Sequence, residues 1–463
     1  MSIMENENQN KRIIFTSFVE YLGELYEQVY DPASEETYFL KFNKFGELEE
    51  LGNEGLEEVI IDDLIFKPIG NDFVKKKFIL LPSEAKEYGD IKTLLQIIQK
   101  YIHKYLDISE FGEVLASYYV LLSWVYDNFE AIPYLRFIGD YGTGKSRALK
   151  VIGNICYKPI FAAGATTPSP IFRLIEQFKG TLVIDEADFS NSDHYSEIIK
   201  ILNCGYQKNM PVLRTEGDKK KEPTAFDVFA PKVIATRQSF KDLALESRCL
   251  TEQMKGNPRP DIPYQLPKDF EKEALEIRNM LLLFRFRKYG EIILDENLRI
   301  PEVEPRINQI VMPILAIIEE DKEKERIKEF IREYDRRLKN TRSDELPAQI
   351  LSAIVKVKQE GGDLAYKSIA EKINEERDEK TGEYKISPAK IGRVNNAVLG
   401  FDHKLINGRT HLIWDENIAK SLCKRYGLEF EEIKKENNDL IPDIPEILLK
   451  NSTSSTNSTE LFS

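Results

Sequence analysis

Four short apolar runs, Leu135–Ile138, Ile160–Ala163, Thr181–Ile184 and Lys232–Thr236, are separated by longer stretches whose apolar residues recur at three- and four-residue steps. The runs read as buried strands and the spaced stretches as amphipathic helices. Their alternation predicts an α/β fold, a parallel sheet with helices on both faces, over residues 134–267. Upstream, residues 1–90 alternate short aromatic and β-branched runs such as Thr37–Leu40, Val59–Ile61 and Phe78–Leu81 with Gly, Asn and Pro positions, which predicts a small α+β domain. Residues 91–133 turn helical, with Leu94, Ile97, Ile98, Tyr101 and Tyr105 on one face. Residues 268–340 are helical in pattern and end in a charged stretch that reads as a solvated helix face.

Residues 341–432 have a different rhythm. An apolar helix around Ile350–Val355 is followed by a second near Tyr366–Ile373. A third opens at Ser387-Pro388, where Ser caps and Pro suits the first turn, and runs through Ile391, Val394 and Val398. Strands Lys404–Ile406 and His411–Trp414 then flank Asn407-Gly408, a strong hairpin signal. Three helices and a hairpin predict a winged helix. Residues 433–463 are polar and of low complexity, and are expected to be disordered.

Composition narrows the functions available. The chain has 463 residues and carries 65 Lys+Arg against 78 Asp+Glu, net −13, so contact with nucleic acid must come from local basic patches. Its four cysteines lie far apart and it has only four histidines, which leaves no disulfide framework or metal-ligand cluster and suits a cytoplasmic protein. The polar N-terminus has no apolar signal core. The most apolar stretch, Val114–Tyr126, is shorter than the about 20 residues that span a bilayer and reads as a buried helix.

The candidate chemistry begins directly after the first predicted strand. Gly139, Asp140, Tyr141, Gly142, Thr143, Gly144, Lys145 and Ser146 fit GxxxxGK[ST], the phosphate-binding loop that turns backbone N–H groups around a nucleoside triphosphate at a helix N-terminus. Lys145 would reach the β- and γ-phosphates of ATP, and Ser146 would hold Mg²⁺. The run Gly180–Ile184 ends in Asp185 and Glu186, placing a metal ligand and a water-orienting carboxylate where phosphoryl transfer needs them. The quartet Asp185–Asp188 also spells the DEAD-box hallmark. That family's Ser-Ala-Thr and arginine-rich motifs are missing downstream, so the match is rejected.

The order IGDYGTGKSRAL, GATTPSPIFRLIE, GTLVIDEADF, ILNCGYQKNMPVLR, FAPKVIATR and ALESRCL, over Tyr134–Met254, resembles the superfamily-three helicase branch of AAA+ ATPases. It is most similar to the ATPase domains of plasmid, phage and archaeal primase-helicase-like proteins. The resemblance implies a helical lid over residues 268–340, a phosphate sensor at Thr236 or Arg237, and a ring of six copies in which Arg248 reaches the neighbouring subunit's nucleotide. Local pairing of Arg248 with Glu246 is the alternative. The resemblance also implies that Val212–Phe226 is a hairpin projecting into the ring's pore, with Lys219, Lys220 and Lys221 at its tip gripping DNA phosphates; a plain solvated loop is the rival.

In the winged helix, acids and bases balance overall, but Lys390, Arg393, Lys404 and Arg409 face only Asp402 between Ser387 and Trp414. Lys390, Arg393, Asn395 and Asn396 exposed on the third helix, with Arg409 on the wing, would suit DNA; a protein-docking role is the alternative. The expectation is an ATP-hydrolysing, Mg²⁺-dependent helicase or translocase of a mobile or extrachromosomal replicon, acting on DNA as a homo-oligomer beside a separate primase. A second reading is an ATP-switched initiator or loader without unwinding activity. Glu186 and Arg248 disfavour a small-molecule kinase.

Overall fold

The computed structural model describes residues 11–48, 55–163, 166–185, 193–215, 223–240, 242–256, 259–343, 345–378 and 385–430. The chain divides between Arg337 and Leu338 into two compact units. The first begins with strands β1 (Arg12–Phe15), β2 (Phe18–Tyr21), β3 (Glu24–Asp31), β4 (Glu36–Phe42), β5 (Val59–Ile61) and β6 (Leu64–Lys67), in two three-stranded sheets ordered β1-β6-β5 and β2-β3-β4. The single-turn helix α1 (Asp72–Lys75) follows. Helices α2 (Ile91–Tyr105) and α3 (Glu110–Trp124) start where Asp90 and Ser109 accept the free N–H groups of Thr93 and Gly112, as capping residues do. From Val114 to Trp124 every residue of α3 is buried, as its composition predicts.

The alternating region forms β7 (Tyr134–Ile138), α4 (Lys145–Gly153), β8 (Ile160–Ala162), α5 (Pro168–Phe178), β9 (Leu182–Ile184), α6 (Asp193–Cys204), the antiparallel pair β10 (Val212–Thr215) and β11 (Pro223–Phe226), β12 (Lys232–Thr236), α7 (Leu243–Glu246) and β13 (Cys249–Gln253). Five of these strands make one parallel sheet, in the order β13-β7-β12-β9-β8. A parallel sheet is covered on both faces, so its strands read as unbroken apolar runs rather than as alternation. Buried Arg136 is the exception on β7. Glu246 satisfies it with two contacts of 2.5 Å, and Thr251 Oγ1 accepts from it as well. The fifth strand, Cys249–Gln253, was not among the predicted runs. Its Thr and Glu interrupt the apolar pattern, yet it pairs along the whole of β7.

The outer edge of β8 is capped by Ile79, which bridges to Ile160. Helices α8 (Phe270–Lys288), α9 (Pro305–Ile317) and α10 (Asp321–Ser343) follow, α10 carrying the charged stretch. The N-terminal strands are joined to the parallel sheet by a buried ionic cluster. Glu27 on β3 lies 2.7 Å from the Lys158 ammonium and also receives Tyr157 Oη and Arg285 of α8, while Asp127 takes the other side of Arg285 at 2.7 Å. Ser17 Oγ donates to Phe178 O across the same junction.

The second unit contains α11 (Leu346–Gln359), α12 (Tyr366–Asp378), α13 (Pro388–Val394), β14 (His403–Ile406), β15 (Arg409–Leu412) and α14 (Glu416–Tyr426). The predicted order of three helices and a hairpin is present, with Asn407 and Gly408 both at positive φ in the turn. Ser387 accepts from Lys390 N and Pro388 opens α13. The third helix departs from expectation at its end, where residues Asn395–Leu399 widen into one turn of π-helix. Asn395 is the cause: fully buried, it donates to Phe401 O at 2.8 Å and accepts from Phe401 N at 3.1 Å. The expectation that Asn395 is exposed for DNA is therefore overturned. Asn396 is exposed.

Candidate nucleotide-binding site

A strand leading into GxxxxGK[ST] and then a helix is the arrangement of a P-loop NTPase core, and here the strand is β7, paired between β13 and β12, and the helix is α4. Each glycine has its own reason. Gly142 and Gly144 stand at φ +71° and +93°, where a side chain would strain the backbone. A Cβ on Gly139 would come within 2.8 Å of Thr143 Oγ1 and 3.0 Å of the Met254 carbonyl. Gly144 is the N-cap of α4, so the loop delivers its free N–H groups at a positive helix end.

Within the loop, Lys145 Nζ donates to the carbonyls of Gly139 (2.7 Å) and Asp140 (2.6 Å), and Thr143 Oγ1 donates to Asp140 O. These contacts hold the lysine ammonium against the loop backbone. The loop is braced from β13, since Met254 N donates to Ile138 O and Gly256 packs on Thr143. Arg147 donates to the carbonyls of Pro263 and Tyr264. The segment after β13 thus supports the phosphate loop, a role that periodicity could not reveal because that strand was itself unread.

Asp185 follows directly on β9, and its N–H donates to Ala162 O. It lines the same cavity as Ser146, so the structure brings the two proposed metal ligands to one place. Glu186 lies outside the described residues, as do Lys219, Lys220 and Lys221. Strands β10 and β11 pair antiparallel in the predicted hairpin interval. Among the described residues no cluster of three or more His, Cys, Asp or Glu could hold a metal. A hydroxyl and a carboxylate, both hard oxygen donors, suit Mg²⁺, which commonly takes one or two protein ligands and completes its shell with phosphate and water.

At the end of β12 the two sensor candidates separate. Thr236 is buried, its carbonyl accepts from Gly139 N, and among the described residues its hydroxyl has no hydrogen-bond partner. Arg237 places its guanidinium 3.9 Å from the ring centre of Tyr141, an exposed residue of the loop. Arg248 is turned inward, 8 % exposed, bonded to Asn203 and 4.1 Å above the Tyr206 ring. Glu246 pairs with Arg136, so the local Arg248–Glu246 pair is not formed. In the second unit Lys390, Arg393, Lys404 and Arg409 are all exposed. No described helix is long and apolar enough to cross a membrane.

No family model and no curated protein matches the chain. Among solved structures it is similar to the C-terminal region of NrS-1, with a TM-score of 0.38, 12 % identity, and 85 % of this chain and 96 % of that one covered. It is also similar to the Aeropyrum pernix ORC1 protein in complex with DNA (TM-score 0.23, 14 % identity, 71 % and 95 % covered) and to JCV helicase bound to a substituted N-phenylacetamide (0.24, 13 %, 53 % and 61 %). With every TM-score below 0.5 the overlap is partial, and the functional reading rests on this chain's own residues.

Proposed function

We propose that the chain is an ATP-hydrolysing, DNA-associated motor of the AAA+ superfamily-three type, working as a ring on an extrachromosomal or mobile replicon. The observation that carries this reading is that Ser146, next to Lys145 at the start of α4, and Asp185, directly after β9, line one cavity at the carboxyl ends of parallel strands, where α/β folds bind their ligands. Lys145 would neutralise the β- and γ-phosphates and Ser146 and Asp185 would hold Mg²⁺. Glu186 would orient the attacking water, because phosphoryl transfer depends on positioning and charge neutralisation. Bound Mg²⁺ would supply electrostatic stabilisation of the transferring phosphoryl group.

Of the sensor candidates, Arg237 fits better than Thr236, since its guanidinium already lies against the loop. Arg248 would act across a subunit interface only after leaving Asn203 and Tyr206. We assign DNA contact to the hairpin lysines 219–221 and to the exposed Lys390, Arg393 and Arg409 of a winged-helix unit. That exposed basic face also supports the second reading, an initiator or loader that grips DNA without unwinding it.

The test is ATPase turnover with and without single-stranded or duplex DNA, alongside oligomer size and strand separation. Glu186→Gln is expected to bind ATP but not turn over, and Lys145→Ala not to bind. Replacing all three hairpin lysines with Ala should spare basal turnover and abolish DNA stimulation and unwinding. Wild-type turnover in Glu186→Gln would remove the catalytic assignment. Unwinding by the triple-lysine variant would remove the pore hairpin and leave the loader reading ahead.

A further inference from the structure

Two buried arginines stand two turns apart on α8, and only one has acid partners. Arg285 is matched by Glu27 and Asp127, donates to Trp124 O, and is stacked among Phe18, Tyr157 and Tyr289. Arg278 is 6 % exposed and donates only to the carbonyls of Leu81 and Asn154. Among the described residues its Nη2 has no hydrogen-bond partner and no carboxylate pairs with it. Burial pulls its pKa down to about 10, the fields of Tyr101 and Glu271 offsetting this only in part. A buried cation without a counter-charge is costly, and proteins keep one chiefly where something anionic completes it.

Arg278 lines a cavity of about 790 Å³, within the range of small-ligand sites. Lys77, Lys150, Lys268 and Lys272 also line it, none in an ion pair among the described residues, while Glu271 and Asp185 are its acids. The rings of Phe78 and Phe161, 57 % and 38 % exposed, provide apolar surface beside those cations. Ser146 and Asp185 line the same cavity. Cations around a buried guanidinium, with exposed aromatic rings alongside, match a ligand that is anionic at one end and flat and apolar at the other.

We propose that this cavity is a second binding site, for a nucleoside monophosphate group. Its phosphate would sit on Arg278, Lys150 and Lys272, and its base against Phe78 and Phe161. The proposal rests on the reading that the loop 139–146 holds ATP, and it places an effector beside the metal ligands of that site. A free mononucleotide and the 5′-phosphate end of a DNA strand present the same chemistry.

The experiment is calorimetric titration of dAMP into full-length protein saturated with a non-hydrolysable ATP analogue and Mg²⁺. One further equivalent per chain is expected. Reversing the exposed pair, Lys150→Glu with Lys272→Glu, should weaken dAMP binding about tenfold or more and leave the analogue's affinity unchanged. Arg278→Met should weaken it too, with melting curves reporting its fold. Lys145→Ala should lose the analogue and keep dAMP; retention of the analogue there would sink the loop reading while leaving the dAMP result to stand on its own. A matched pair of oligonucleotides separates the sources: preference for the 5′-phosphorylated over the 5′-hydroxyl strand identifies a strand end, and indifference identifies a free nucleotide. The proposal is overturned if dAMP binds only by displacing the analogue, if charge reversal leaves its affinity unchanged, or if neither dAMP nor the 5′-phosphate binds.

Discussion

The junction around Arg285 and the loop around Lys145 use the same materials, cations facing oxygen acceptors, to opposite ends. At the junction Glu27, Lys158 and Arg285 are each about 1 % exposed, and only Asp127 reaches toward the surface. Their charges are spent on one another and on holding the N-terminal strands to the parallel sheet. At the loop the lysine faces backbone carbonyls, and Tyr141, Gly142 and Ser146 are exposed. A carbonyl satisfies a lysine without cancelling its charge, so Lys145 remains electrostatically available to phosphate. Closed charge makes a frame; open charge makes a site.

That contrast is broken most severely at Glu27. Glu27→Ala would leave Lys158 and Arg285 buried with half their partners gone, an expected loss of about 3–5 kcal/mol in unfolding free energy. Lys145→Ala, in the exposed loop, should stay within about 0.5 kcal/mol of the parent while losing nucleotide. Denaturant unfolding of both variants measures the difference, and equal stabilities would end the distinction between frame and site.

Acid sharpens the comparison with a smaller effect. Burial tends to raise the Glu27 pKa, but Lys158 and Arg285 together bring it below the ordinary 4.5. A carboxylate depressed in the folded state contributes stability that is present above the unfolded pKa and lost as pH falls through the folded one. The first unit should therefore lose stability below about pH 4.5. Glu27→Gln should flatten that acid limb, and an unchanged limb in thermal melts from pH 6 to pH 3 would count against the cluster as its source.

Most of the site was legible because local chemistry dictates it: the glycines, Lys145 and Ser146 are forced by how a backbone wraps phosphate, and four of the five sheet strands are apolar runs. What stayed hidden depends on distant neighbours. The strand Cys249–Gln253 carries Thr251 and Glu252, whose partners Arg136 and Ser109 lie more than a hundred residues away, so no local period marks it. Arg278 and Arg285 look alike in the sequence, and only the fold shows that one is matched and the other faces a cavity. Asn395 reads as an exposed DNA contact because it is a polar residue in the same basic stretch as Lys390, Arg393 and Asn396, and it is instead buried in a π turn where it bonds both backbone groups of Phe401.

The smallest expected effect tests the same distinction within the second unit, where the recognition-type helix is short and its ends matter. Ser387 Oγ accepts from Lys390 N at 3.3 Å and Pro388 presets the first turn, so α13 has a capped start. Ser387→Ala removes one acceptor from a free N–H at an exposed position, which costs about 1 kcal/mol. Because the cap supports the helix that carries Lys390 and Arg393 and does not touch the phosphate loop, DNA affinity should fall modestly while ATP affinity in the first unit stays the same. Ser387→Asp, which restores an acceptor at the helix N-terminus, should recover the stability but not the DNA affinity, since it brings a negative charge beside the two cations. Recovery of both would mean that α13 only props up the fold, and the basic face assigned to it would have to be sought on the hairpin around Arg409.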